Sequence, residues 1–97
     1  MIPKNKPIRS KRWLQNVGEL QQCVMCGAWG VQVAHRNEGK AMGRKTSDIL
    51  TAALCEPCHS RCDNGKDMTR DERRAFMNEA IIRTLEALSR AGKVKAA

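Results

Sequence analysis

Residues 55 to 63 read Cys55-Glu56-Pro57-Cys58-His59-Ser60-Arg61-Cys62-Asp63, and a second cysteine pair stands upstream in Cys23-Val24-Met25-Cys26-Gly27. Two C-x-x-C knuckles supply the four soft, deprotonated ligands that a tetrahedral zinc ion takes. We therefore expect Cys23, Cys26, Cys55 and Cys58 to hold one structural zinc. The 28 residues between the pairs leave room for a hairpin and a functional loop. Gly27 lets the backbone turn tightly after the second cysteine and aim amides at the sulfurs. Cys62, four residues beyond Cys58, is left over and reads as a half-buried structural thiol.

Outward from the cysteines, Val31-Gln32-Val33-Ala34-His35 alternates apolar and polar residues, which predicts a short strand ending at the histidine. Residues 37 to 47 hold two glycines and little periodicity and read as a long basic loop. Asp48 to Leu54 is a short apolar run compatible with a strand or one helical turn. His59 to Asp63 fits a short helix ended by Asn64-Gly65. Ser10 can cap a helix over Lys11 to Val17, stopped by Gly18, with Leu14 and Val17 toward the core. Trp13 would join that core or cover the zinc. Thr69-Arg70-Asp71-Glu72 is a capping box, followed at helical spacing by Phe76, Met77, Ala80, Ile81, Thr84, Leu85 and Leu88, with Gly92 closing the helix. The expected organisation is a flexible basic arm (1–8), a single domain (9–92) and a short basic tail (93–97).

Composition limits what such a domain can do. A chain of 97 residues with three aromatics builds a modest core, and domains this small often need a metal, a disulfide or a partner subunit. No apolar run is long enough for a membrane span, and no apolar segment follows the basic N-terminus, so neither membrane insertion nor secretion is expected. The expected location is the reducing cytoplasm, where paired cysteines more often mean metal than disulfide. The formal charge of +8 falls to about +6 once four thiolates surround one Zn²⁺. That excess points to a polyanion, most simply DNA. Lys4, Lys6, Arg9, Lys11 and Arg12 crowd the N-terminus, and Arg36, Lys40, Arg44 and Lys45 crowd the middle. With no tyrosine, duplex or branched backbone contact suits the chain better than a base-stacking platform.

The two histidines sit at telling places. His35 ends the candidate strand; His59 follows the last zinc ligand, with Asp63 one helical turn further on, so His59 and Asp63 could share one metal ion. The order C-x-x-C, then Ala34-His35, then a loop, then Cys55-x-x-Cys58-His59-x-x-x-Asp63 resembles the HNH endonucleases, the ββα-metal or His-Me finger group. It is most similar to the small YbcO-type nucleases of phages and prophages. The matching segments are Ala34-His35-Arg36, Gly39 with Gly43, Lys45 through Asp48, Cys55 to His59, Asp63 and the closing helix, together covering roughly residues 9 to 95.

The resemblance implies an α+β fold: a small zinc-stapled ββα-metal core with an N-terminal helix and a long C-terminal helix. It also implies a metal-dependent endonuclease acting on DNA in phage recombination or processing, in a bacterial host's cytosol. In that reading His35 is the general base. His59 and Asp63 hold a divalent cation such as Mg²⁺, and Arg36, Lys40, Arg44 and Lys45 position the backbone. The chain departs from the family at Ala34, where a metal-binding Asp or His usually stands, and at Leu50, in place of the motif's Asn. Asp48, Glu38 or a substrate phosphate would complete the metal shell, with Asp48 preferred. Two other classes compete: a non-catalytic zinc module binding DNA through its basic face, and a protein-interaction adaptor using Ile82 on the last helix.

Overall fold

The computed structural model describes residues 7–36 and 46–94. Its elements are α1 (Lys11–Gly18), β1 (Gln32–His35), β2 (Thr51–Leu54), α2 (Glu56–Asn64) and α3 (Arg70–Arg90). The strands form an antiparallel pair in the register Gln32↔Leu54, Val33↔Ala53, Ala34↔Ala52 and His35↔Thr51. The apolar run from Asp48 thus resolves into a turn and then a strand. Among the described residues the protein is a small α+β domain with three helices and one antiparallel strand pair.

Local chemistry sets the ends of the helices. The Ser10 hydroxyl accepts from the Trp13 N–H at 3.1 Å and opens α1. Thr69 and Glu72 exchange both bonds of the capping box that opens α3. At its other end Gly92 takes φ +76°, and the Lys93 N–H reaches back to the Leu88 carbonyl at 2.9 Å. That six-to-one bond requires a left-handed residue, which glycine adopts without strain. Pro57 lies in the first turn of α2, where its missing N–H costs nothing, and Gly65 caps the helix.

Because side chains alternate along a strand, the strand pair faces two separate cores. Ala34, Ala52 and Leu54 pack with Cys23, Cys55, Cys58, Cys62, Met77 and Ala80. Ala53 points the other way and packs with Val17 and Leu88, ringed by Trp13, Leu20, Val33 and Val94. Trp13 therefore belongs to the core of α1 and does not cover the cysteines. The largest fully buried apolar side chains are Leu54, Leu88 and Val17, each worth about 2 kcal/mol. The rest of the core is made of alanines, one methionine and the buried cysteines.

One backbone detail joins α3 to the sheet. Ala53 turns its polar groups away from β1: its N–H donates to Thr84 Oγ1 at 3.2 Å, and its carbonyl accepts from the Val24 N–H at 3.0 Å. The Thr84 hydroxyl passes its own proton to the Ala80 carbonyl at 2.8 Å.

Some expectations shift. Met77, Ala80, Thr84 and Leu88 are buried as the helical stripe requires, but Leu85 is 46% exposed and lies outside the core. The domain begins earlier than the arm boundary implied, since the Ile8 N–H donates to Ser47 Oγ and its carbonyl accepts from the Asp48 N–H. Val94, assigned to the tail, packs on the second core. Of the expected basic loop, residues 37–45 lie outside the described residues.

Candidate functional site

The sulfurs of Cys23, Cys26, Cys55 and Cys58 all lie within 4.8 Å of one another, and Cys26 and Cys55 approach to 3.5 Å. Zinc–sulfur bonds of about 2.3 Å in a tetrahedron put sulfurs about 3.8 Å apart, so the cluster fits zinc. Three of the cysteines are buried and Cys26 is exposed. The first pair is set by the knuckle turn: Gly27 takes φ +80°, and its N–H donates to the Cys23 carbonyl at 2.9 Å. The second pair brackets the N-terminus of α2, whose dipole favours thiolates.

Burial opposes ionisation of Cys23, but the N–H groups of Cys55, Cys26 and Met25 outweigh it and lower the thiol to about 6. Burial and the adjoining sulfurs push the Cys58 thiol well up. Four thiols gathered this closely could hold a metal ion such as zinc, whose charge would offset that of the thiolates. Cys62 is buried, and burial raises its thiol to about 11, which keeps it neutral beside the cluster.

His59, directly after the last cysteine, is held from two sides. Its Nδ1 lies 2.7 Å from Gln32 Oε1, and its Nε2 lies 3.3 Å from Asp63 Oδ2. The carboxamide oxygen can only accept, so Nδ1 donates to it, while Nε2 faces the Asp63 carboxylate and donates to it when protonated. Metal-ligating histidines commonly take this arrangement, with the distal N–H fixed by a protein acceptor. Gln32 is the partner of His59 that sequence reasoning missed.

His35 has a different partner. Its Nε2 lies 3.0 Å from Asp48 Oδ1, while the other carboxylate oxygen accepts from the Ser10 N–H at 2.8 Å and Arg9 approaches to 3.4 Å. The His35 bond, the Ser10 N–H and the Arg9 charge hold the Asp48 carboxyl below its ordinary value. Asp48 is buried, whereas the His35 side chain keeps 34% of its surface. Arg9 also donates to the Thr46 carbonyl at 2.7 Å, and Thr46 Oγ1 donates to the Arg36 carbonyl at 2.6 Å. Asp48 is thus engaged with His35, rather than joining His59 and Asp63 as a third ligand.

Strand alternation separates the two pairs. Gln32 and Ala34 face the cysteines and α2; Val33 and His35 face α1. Arg36, next in line, returns to the first face and lines a cleft with Asp63. The position before His35 is a fully buried alanine on the His59 side, where a methyl group can offer no ligand. Leu50 accepts the Arg36 N–H through its carbonyl at 3.0 Å. Among the described residues, the four cysteines are the one group of three or more metal-capable side chains. Glu38, Lys40, Arg44 and Lys45 lie outside the described residues.

Comparison with known protein families, with curated proteins and with solved structures finds no match to this chain. The four-cysteine cluster and the folded α+β domain are therefore established on the chain's own geometry. No helix among the described residues is long and apolar enough to cross a membrane.

Proposed function

We propose that this chain is a metal-dependent endonuclease that hydrolyses DNA phosphodiester bonds, with zinc as its frame. One observation carries the reading: a histidine–carboxylate pair stands on each face of β1, His35 with Asp48 and His59 with Asp63. His35 gives its Nε2 proton to Asp48, so Nδ1 is the basic atom. With Nδ1 donating to Gln32, deprotonated His59 Nε2 would serve as the ligand atom beside Asp63.

In the reaction, His35 Nδ1 takes the proton of a water whose oxygen attacks phosphorus, and the bond to the 3′ oxygen breaks. Asp48 stays ionised and stabilises the imidazolium that forms, as a positioning residue. His59 and Asp63 supply two ligands for a divalent cation such as Mg²⁺, which when bound stabilises charge on the phosphate and the departing oxygen. The departing 3′ oxygen takes a proton from solvent, so the products are a 5′ phosphate and a 3′ hydroxyl. Because the two pairs occupy opposite faces of β1, the scissile phosphate would lie across the end of that strand, beside Arg36.

Purified protein with Mg²⁺ or Mn²⁺ on duplex, nicked and branched DNA tests this. Wild type should cut, and His35→Ala should lose roughly 10²–10⁴-fold in rate. Equal cutting by the two would remove His35 as the base. A second reading, a zinc module that binds DNA without cutting it, is favoured by the His59–Asp63 pair having no third protein ligand among the described residues. Binding without cleavage by wild type would select it.

A further inference from the structure

A cleft of about 240 Å³ opens between the end of β1, the second half of α2 and the start of α3, lined by Arg36, Asp63, Arg70, Arg73 and Arg74 over a floor of Cys62 and Met77. We infer that this cleft is a phosphate-binding subsite for a nucleic-acid backbone, built chiefly by the three arginines of α3.

Four guanidinium groups meet one carboxylate in this lining, so its formal charge is strongly positive even with Asp63 balanced by a neighbour. Their placement is deliberate in the physical sense. Arg70, Arg73 and Arg74 stand at i, i+3 and i+4, which puts them on one face of α3, and Met77 continues that face. Arg70 also lies in the first turn, where the helix dipole disfavours cations. The capping box with Asp71 and Glu72 supplies the acidic residues such a terminus wants. An anion in the cleft would meet a convergent set of guanidinium groups.

Arg73 adds a second indication. Its Nη1 donates to the Asp63 carbonyl at 3.3 Å, which fixes the guanidinium, yet its Nε is buried and has no hydrogen-bond partner. Buried N–H groups of this kind are rare in finished structures and point to an acceptor that completes the site. Guanidinium forks match phosphate oxygens two at a time, and the half-apolar floor strengthens each contact. At about 30 Å³ per water, the cleft holds a tetrahedral oxyanion together with several waters.

The same lining includes Asp63, which touches His59. A phosphate in the cleft would therefore neighbour the proposed cation position, and to that extent the inference deepens the endonuclease reading. The arginine site itself stands whether or not the chain cuts DNA.

The test uses full-length zinc-loaded protein without added Mg²⁺ or Mn²⁺, so that cleavage plays no part. Affinity for a short duplex is measured by fluorescence anisotropy across a salt series for wild type, Arg70→Gln/Arg74→Gln and Arg90→Gln. Arg70 and Arg74 are exposed and Arg90 sits at the far end of α3, so folding should survive in all three. The double variant should weaken binding uniformly across sequences and flatten the salt slope by about one unit for each lost phosphate contact. Arg90→Gln should leave the slope near that of wild type. An unchanged slope in the double variant, or an equal loss per charge in Arg90→Gln, would overturn the subsite. The Arg73 Nε–H resonance separates sources of phosphate. It should move with duplex at micromolar concentration and with inorganic phosphate only at many millimolar. A shift with inorganic phosphate alone, or with neither, would overturn a backbone-binding role.

Discussion

Gln32 on β1 and His59 on α2 meet at 2.7 Å, a bond that ties strand to helix across 27 positions of sequence and orients the imidazole toward Asp63. Gln32 pairs with Leu54 in the sheet, one residue before Cys55, so the glutamine, the zinc ligands and His59 share one small scaffold.

Gln32→Leu preserves shape and removes the acceptor. We expect it to weaken divalent-cation binding by roughly 10–100-fold while one zinc stays bound. Isothermal calorimetry with Mn²⁺ on the zinc-loaded protein checks this; wild-type affinity in the variant would remove Gln32 from the site.

Zinc should account for much of the folding free energy. Structural zinc in small peptides binds with about 10–16 kcal/mol at neutral pH, against about 5–15 kcal/mol for a whole domain. Chelation, or Cys58→Ser, should therefore abolish most helical circular dichroism. Protein isolated without chelators and carrying no zinc would contradict the assignment.

Zinc uptake should also release protons. The Cys58 amide favours the Cys55 thiolate, but burial and nearby sulfurs leave that thiol above its ordinary value, and burial raises Cys58 further. Both carry protons at neutral pH, and both must lose them to bind. Calorimetry in buffers of differing ionisation enthalpy should give at least two protons per ion, with affinity falling as the solution is acidified; a smaller count would refute the ligand set.

Asp48 offers a test by pH. Its carboxyl is depressed in the folded protein by His35, Ser10 and Arg9, whereas unfolded aspartate titrates near about 3.9. A depressed carboxyl contributes stability above its unfolded value and loses it as pH falls through the lower, folded value. The melting-temperature gap between wild type and Asp48→Asn should be full near neutrality and narrow below about pH 4. A gap independent of pH would show that the His35–Asp48 contact does not hold the fold.

Thr84→Val keeps volume and deletes a hydroxyl. The Ala53 N–H would lose its acceptor inside the protein, at a cost of about 1–3 kcal/mol. Urea denaturation should show a lower midpoint with an unchanged slope.

Much of this was legible because it depends on local chemistry. Cysteine spacing, the capping box at Thr69, the cap at Ser10 and the glycine at 92 each act within a few residues. Gln32 was hidden because a polar residue in an alternating strand reads as solvent-facing, and its partner lies in another element. Asp48 was read as a possible metal ligand because it lies near the motif; only the fold brings Ser10 and His35 to its two oxygens. Arg70, Arg73 and Arg74 look like ordinary helix surface until α2 and the end of β1 close around them. Leu85 fits the helical spacing, but the narrow sheet covers only part of α3.

The bonds at Ala53 also bear on the company this protein keeps. A two-stranded sheet has two outer edges, each a template on which another chain can build. Along β2 that template is interrupted at its centre, the N–H taken by a threonine of α3 and the carbonyl by the knuckle. An incoming strand would have to break both bonds before it could register. Thr84 thus guards against strand addition and fibril growth, and its loss should be felt first as a tendency to precipitate at high concentration.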